Sequence, residues 1–202
     1  LLSPALQLVH CVRVEPREVE YIARSGAMVA HCPRSNARLL TGIAPVHAMR
    51  RMGIPVVVGT DSAVSAGTLD LWEEVRTAAL LQRASSYSAV PSWRDWVAML
   101  TLESAKAFGV GDTTGSLEVG KSADLIAVKT QRLAYTGTPD PYSALVLVTR
   151  SEDVALTMVR GEILYQEGNW RTLDPAQTRK SLRPILETNF PPIKQETRKT
   201  GV

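Results

Sequence analysis

The sequence predicts an α/β protein built on a parallel sheet, and its first 62 residues carry that prediction. Three short apolar segments, 6–10, 27–31 and 54–62, lack the alternation of a half-exposed strand, as expected for strands that are buried on both faces. Segments with helical spacing, 16–24 and 45–53, separate them. Strand and helix alternating in this way favour right-handed crossovers and a parallel sheet.

Composition and charge are those of an ordinary globular protein. The chain has 202 residues, of which 45% are hydrophobic and 21% charged, and its formal net charge is +3. No apolar run approaches the ~20 residues that span a bilayer, and no signal-peptide pattern is present. The two cysteines do not make a disulfide framework, which favours a reducing, cytoplasmic location. A basic C-terminal segment without interleaved aromatic residues favours a solvated tail over a nucleic-acid-binding segment.

Each predicted strand ends in a side chain that can bind a metal or a proton, namely His10, His31 or Asp61. The carboxyl ends of parallel strands meet at one edge of a sheet, so we expect these side chains to converge there. Asp61 is the leading candidate, because a carboxylate after so apolar a strand is costly to bury without a cation or hydrogen bonds. A helix-cap or turn role for Asp61 and a structural role for His10 remain alternatives.

Two further helices are predicted before the turn-rich part of the sequence begins. The first runs from Thr68, as its N-cap, to about Arg83, and its Glu73 and Glu74 are expected on a solvated face or in ion pairs. The second begins at the capping-box spacing Ser92-x-x-Asp95. Residues 32–36, by contrast, are predicted to form a loop. His47 is predicted inside a helix, with no chemical role.

After Gly115 the sequence becomes turn-rich, with short β-like runs. We therefore predict a barrel-type α/β part over 1–112, a β part over 113–171 and a peripheral tail over 172–202. The predicted strands of the β part are 125–128, 144–148, 154–159 and 162–165.

Several ordered motifs resemble the amidohydrolase superfamily, over about residues 6–170. The resemblance is to the branch that holds S-adenosylhomocysteine/methylthioadenosine deaminases, aminodeoxyfutalosine deaminases, guanine deaminases and triazine chlorohydrolases. The motifs are His31-Cys32-Pro33-x-Ser35-Asn36-x-Arg38-Leu39, Gly42-Ile43-Ala44-Pro45, Gly53-Ile54-Pro55-Val56, Gly59-Thr60-Asp61-Ser62 and Gly115-Ser116-Leu117-Glu118-x-Gly120-Lys121-x-Ala123-Asp124-Leu125.

The resemblance implies the C-terminal part of a metal-dependent (β/α)8 TIM barrel, with part of a small β-sandwich. It implies one divalent metal ion, zinc in preference to iron. Asp61 corresponds to the metal ligand that also accepts a proton from the attacking water, and His10 to the histidine that contacts this water or the substrate. The residues that correspond to the substrate-binding wall are His31, Ser35, Asn36 and Ser62.

The family's His-x-His pair, its fifth-strand histidine and its proton-shuttling glutamate have no counterpart in this sequence. The resemblance thus implies the C-terminal half of an enzyme, which needs an N-terminal half as its partner. We expect the isolated chain to bind metal weakly and to be inactive.

The function implied is hydrolytic deamination of an adenine nucleoside-type substrate such as methylthioadenosine, adenosylhomocysteine or aminodeoxyfutalosine, with release of ammonia. The alternatives are a guanine deaminase, a chlorohydrolase or another amidohydrolase, and, in another class, a non-catalytic barrel remnant. We expect a small nucleoside or heterocyclic substrate and no nucleic-acid or membrane partner. Assembly into a homo-oligomer remains open.

Overall fold

The first part of the chain folds as a parallel sheet with helices packed against it. The computed structural model describes residues 2–85 and 90–189. Strands β1 (Gln7–Val9), β2 (Met28–His31) and β3 (Val56–Val58) form a sheet in that order. Both pairings are parallel. The predicted α/β class with a parallel sheet is therefore confirmed.

Seven helices precede the second sheet in the described residues, and their ends follow local sequence signals. The helix α1 begins at a proline, whose fixed φ suits the first helical position, and is followed by Gly26 at φ 71°. The predicted capping box at Ser92 and Asp95 is formed. The helices are α1 (Pro16–Ser25), α2 (Pro33–Arg38), α3 (Val46–Arg51), α4 (Ala63–Ala66), α5 (Leu71–Ser85), α6 (Trp93–Leu100) and α7 (Leu102–Ala107).

The hydrophobic core lies between the sheet and these helices. Strand alternation directs Val29 and Val56 toward the helices, where both are fully buried together with Met49 and Trp96. On the other face of β1, Val9 is 47% exposed. The neighbours of Val9 on this face, Ala30 and Val57, are buried, so the exposure is confined to the edge strand β1.

A four-stranded antiparallel sheet forms the second unit, with the order β4-β5-β6-β7. Gly161, at φ 80°, makes the predicted turn between β5 and β6. A second sheet layer, which a sandwich would require, stays a prediction. The elements are β4 (Leu125–Val128), α8 (Leu133–Thr136), α9 (Pro141–Leu147), a 3₁₀ turn (Ser151–Asp153), β5 (Val154–Val159), β6 (Glu162–Gln166), β7 (Asn169–Trp170) and α10 (Pro175–Asn189). None of the described helices is long and apolar enough to cross a membrane.

Two predictions of secondary structure were wrong. Residues 32–36, predicted as a loop, enter α2, because Pro33 suits the first helical position. Residues 144–148, predicted as a strand, lie largely in α9, because the side chain of Asp140 accepts the backbone N–H of Ser143 at 2.7 Å and starts a helix there. A short apolar run does not by itself distinguish a strand from a buried helix.

The predicted N-cap of α5 was also wrong. The Asp70 side chain accepts the backbone N–H groups of Trp72 and Glu73, at 2.8 and 3.3 Å. Thr68 lies two residues before Asp70, and its hydroxyl bonds to side chains of Arg34 and Glu73 instead. The cap therefore falls two residues later than predicted.

Candidate active site

His10 and Asp61 lie together at the carboxyl edge of the parallel sheet. The Nε2 atom of His10 is 3.9 Å from Oδ2 of Asp61, and the two side chains are 42% and 29% exposed. His10 directly follows β1, and Asp61 follows β3 after two residues. Both have a left-handed backbone, with φ of 70° and 58°. Residues other than glycine adopt this conformation uncommonly, although histidine and aspartate do so more readily than most, and such residues cluster at functional sites as well as in turns.

The helix α2 supports both of these side chains through two consecutive buried residues. The Ser35 hydroxyl donates to Oδ2 of Asp61 at 2.6 Å, and Oδ1 of Asn36 lies 2.9 Å from Nδ1 of His10. Because the Asn36 oxygen can only accept, Nδ1 of His10 carries the proton in this contact. The other ring nitrogen, Nε2, is then left facing Asp61.

Hydrogen bonds keep the Asp61 carboxylate ionised. The Ser35 hydroxyl, followed by the backbone N–H of Ser62 at 2.7 Å from Oδ1, lowers the pKa of Asp61 below its ordinary value. The hydroxyl of Ser62 accepts the N–H of Ser65 at 3.2 Å and caps α4. Since Ser62 is the cap, the alternative in which Asp61 caps this helix is wrong.

His31 lies beneath the site and not at its surface. It is 1% exposed, and strand alternation places its side chain on the helix-facing side with Val29. In the described part of the chain, neither ring nitrogen has a hydrogen-bond partner. Burial, and less strongly the neighbouring His10, lowers the pKa of His31 to about 4, so the ring is neutral at pH 7. Its proposed contact with substrate stays a prediction.

Glu74 is a buried acid, whereas the sequence predicts it on a solvated face or in an ion pair. Its exposure is 0%, and its Oε2 accepts the backbone N–H of Arg34, in α2, at 3.1 Å. Burial raises the pKa of Glu74 to about 7. Its neighbour Glu73 pairs instead with the Arg34 side chain. The available signal was spacing, since Glu74 lies four residues before the core residue Ala78.

The residues at this edge fit part of a metal site. Asp61 offers carboxylate oxygens, and His10 offers a ring nitrogen, both of which are ordinary ligands of zinc. The described residues hold no group of three or more His, Cys, Asp or Glu side chains that could bind a metal ion. Further ligands would therefore have to come from outside the described ranges.

Comparison with protein families shows which family this chain belongs to. The profile of the amidohydrolase family matches residues 1–164. The chain belongs to the amidohydrolase family. It is 39% identical over 176 residues to a 5-methylthioadenosine/S-adenosylhomocysteine deaminase of Moorella thermoacetica, a match that covers 86% of this chain and 41% of that relative.

Other amidohydrolases show the same partial coverage. A 5'-deoxyadenosine deaminase of Methanosarcina barkeri is 36% identical over 188 residues, which cover 92% of this chain and 43% of the relative. The chain thus spans less than half the length of these curated amidohydrolases.

Solved amidohydrolase structures share the fold. An adenosine deaminase from Xanthomonas campestris with bound zinc superposes with a TM-score of 0.87 at 30% identity, covering 93% of this chain and 44% of that one. An atrazine chlorohydrolase from Arthrobacter aurescens, complexed with zinc, gives a TM-score of 0.85 at 26% identity, with 92% and 41% coverage. The resemblance to the deaminase and chlorohydrolase branch of the amidohydrolases is therefore confirmed.

Proposed function

We propose that this chain is the C-terminal part of a metal-dependent hydrolase that deaminates an adenine nucleoside-type substrate and releases ammonia. The observation that carries the proposal is the Asp61 carboxylate, held by Ser35 and Ser62 beside His10 at the carboxyl edge of the sheet. Identity of 36–39% to the deaminases described above favours methylthioadenosine, adenosylhomocysteine or a related deoxyadenosine as substrate. Aminodeoxyfutalosine remains in this group.

The geometry of the sheet supports an N-terminal half that completes a barrel. Within the described residues, β1 and β3 each pair with β2 alone, so each has an unpaired edge. Val9, on the face away from the helices, is exposed. An incomplete sheet with two free edges is what remains of a barrel when its other strands are absent. In this proposal residues 1–112 complete the barrel, 113–171 belong to the β-sandwich, and 172–202 form a peripheral tail.

The chain's own residues have defined tasks in this reaction. A bound divalent metal, zinc in preference to iron, would lower the pKa of a water molecule toward neutrality. Asp61 would hold the metal through a carboxylate oxygen and accept a proton from the attacking water. Its lowered pKa keeps the carboxylate ionised, which both tasks require. His10 would hydrogen-bond that water or the tetrahedral centre through Nε2. Water adds to the carbon that bears the amino group, the C–N bond breaks, and ammonia leaves with the transferred proton.

A second candidate function is hydrolytic dechlorination. The similarity to an atrazine chlorohydrolase, with a TM-score of 0.85, favours it as the alternative on the same scaffold. A guanine deaminase and a barrel remnant without activity are further alternatives, because fold similarity alone does not decide the reaction.

The test is an ammonia-release screen of the complete protein, which adds the proposed N-terminal half. Its substrates are methylthioadenosine, adenosylhomocysteine, aminodeoxyfutalosine and guanine, with chloride release from atrazine and metal analysis in parallel. We expect turnover of an adenine nucleoside, loss of that turnover in the Asp61→Ala variant, and a reduced metal content in the same variant. Near-normal activity of Asp61→Ala would refute the assignment. Turnover by the 202-residue chain alone would refute the role of the N-terminal half.

A further inference from the structure

We propose that Glu74 is a positioning residue for this reaction, which acts by holding the N-terminus of α2 and, through it, the side chains that orient Asp61 and His10. The inference rests on the proposed function. Glu74 does not contact Asp61 or His10 through any hydrogen bond or ion pair that the described residues show. Its effect must therefore pass through α2.

The N-terminus of α2 depends on Glu74 for its cap. The N-cap residue, Cys32, makes no side-chain capping hydrogen bond, and Pro33 at the first helical position has no N–H. The first free N–H of the helix belongs to Arg34, and Oε2 of Glu74 accepts it at 3.1 Å. An oxygen of the Glu74 side chain, from α5, thus performs the task that a serine or aspartate performs at most helix starts.

The residues that follow this contact are the ones that orient the site. Ser35, next after Arg34, donates to Asp61, and Asn36, next again, accepts from His10. Because α2 has only six residues, a shift of its first turn moves both side chains together. A misplacement of about 1 Å can cost on the order of a hundredfold in rate when it disturbs reacting groups.

The burial of Glu74 indicates that its acceptor oxygen has a role other than stabilising the fold. The side chain is fully buried, and its second oxygen, Oε1, has no hydrogen-bond partner in the described part of the chain. An apolar residue at this core-facing position would avoid the desolvation cost of a carboxyl group. Stability alone therefore favours a different side chain at residue 74, whereas the contact with Arg34 requires an acceptor.

The test compares three variants in the complete protein. Glu74→Leu removes the acceptor, and Glu74→Gln keeps an acceptor oxygen. Glu73→Gln is the matched control on the same helix, since the Glu73 carboxylate bonds to the side chains of Arg34 and Thr68 instead of the backbone of α2. We expect Glu74→Leu to lower kcat by roughly 10- to 100-fold, with KM changed by less than about threefold. Glu74→Gln should restore kcat to within about fivefold of the unaltered protein, and Glu73→Gln should stay within about twofold. A glutamine variant as poor as the leucine variant would overturn the proposal.

A double-mutant comparison separates positioning from general destabilisation. If Glu74 acts through α2, Glu74→Leu should cost much less in a Ser35→Ala background, because the contact that it positions is already lost. An equal fold-loss of kcat in both backgrounds would overturn the proposal.

Amide hydrogen exchange tests the contact without any assay of activity. We expect faster exchange over residues 34–38 in Glu74→Leu than in Glu74→Gln, with β3 unchanged. Unaltered exchange in α2 would overturn the proposal whatever the activity. If the unaltered protein turned over no substrate while exchange in α2 responded, the proposed function would fail and the capping contact would stand. Should Glu74→Leu not fold, Glu74→Met, which also removes the acceptor of the Arg34 N–H, takes its place in each of these comparisons.

Discussion

Ser35 donates its hydroxyl to Oδ2 of Asp61 at 2.6 Å and so joins the helix that follows β2 to the end of β3. The donor is fully buried, whereas the acceptor reaches toward solvent. A buried neutral donor on an ionised acceptor fixes the carboxylate and favours its charged form. The position of α2, which follows β2, therefore sets the direction of one carboxylate oxygen of Asp61.

Removal of this hydroxyl should raise the pKa of Asp61. In the complete protein, Ser35→Ala should move the acidic limb of the kcat/KM profile to higher pH, because a protonated Asp61 can neither accept a proton nor hold a metal. Loss of a hydrogen bond to a charged group should lower the neutral-pH rate by about tenfold or more. The pH–rate profile measures both effects. Ser104→Ala, which removes a hydroxyl bonded to the Met99 carbonyl in α6, is the control, and an unmoved acidic limb in Ser35→Ala would contradict the prediction.

His10 should show a larger effect on turnover. We expect His10→Ala to lower kcat by ~10²–10⁴-fold, as for other groups that assist proton transfer. Asn36→Ala should cost less, because it removes only the acceptor that fixes the proton on Nδ1. In the double variant, loss of Asn36 should add almost nothing to the loss of His10. An unchanged rate in His10→Ala would favour the structural alternative for this histidine.

Topology is the part of this site that sequence predicts well. His10 and Asp61 each follow a short apolar run, and runs of that kind end at a common edge once the strands are parallel. Their proximity thus follows from the two apolar runs and from the rule that parallel strands end at a common edge of the sheet. The folded chain places their side chains 3.9 Å apart.

The support of the site is not predictable in the same way. Ser35 and Asn36 are typical loop residues, and whether they enter a helix depends on Pro33 and on an acceptor 40 residues away in sequence, Glu74. The same reason explains α9, where Asp140 starts a helix in a run with strand-like composition. Burial of a charged residue is a property of tertiary packing, and local sequence carries only a weak sign of it.

The second unit offers a stability prediction at the link between α8 and β5. Arg132 donates to both carboxylate oxygens of Asp153 at 2.6 Å, and the Tyr135 hydroxyl donates at 2.9 Å. The Arg132 hydrogen bonds, with smaller help from the Arg150 N–H, hold the pKa of Asp153 at about 2. Because this folded-state pKa is depressed, the stability that it contributes is present above about pH 4 and is lost as pH falls toward 2.

We therefore expect Asp153→Asn to lower the free energy of unfolding at pH 7 by about 1–3 kcal/mol, as for a lost charged hydrogen bond. The difference from the unaltered protein should shrink at pH 2–3. Denaturant unfolding at both pH values measures it. Glu152→Gln, at the exposed neighbouring position, should have little effect. A pH-independent difference would contradict the assigned ionisation.

Glu74 should make the protein less stable as pH rises. Burial holds the pKa of its carboxyl at about 7 in the folded state, against 4.5 ordinarily. Between these values the unfolded chain releases a proton that the folded chain keeps, so the free energy of unfolding falls as pH increases. Glutamine cannot ionise. Glu74→Gln should therefore match the unaltered protein near pH 4.5 and exceed it above pH 7, by up to about 3 kcal/mol.

Urea unfolding of the complete protein at pH 4.5 and pH 8 measures this difference. His31, whose pKa burial lowers to about 4, contributes an opposite trend below pH 6.5, but it is present in both proteins and cancels in the comparison. The control is Glu73→Gln, because Glu73 is 44% exposed and its removal should give no comparable gain at pH 8. An equal difference in the free energy of unfolding at the two pH values would show that Glu74 is already ionised in the folded protein at pH 4.5. Its charge would then be stabilised by more than the Arg34 N–H alone.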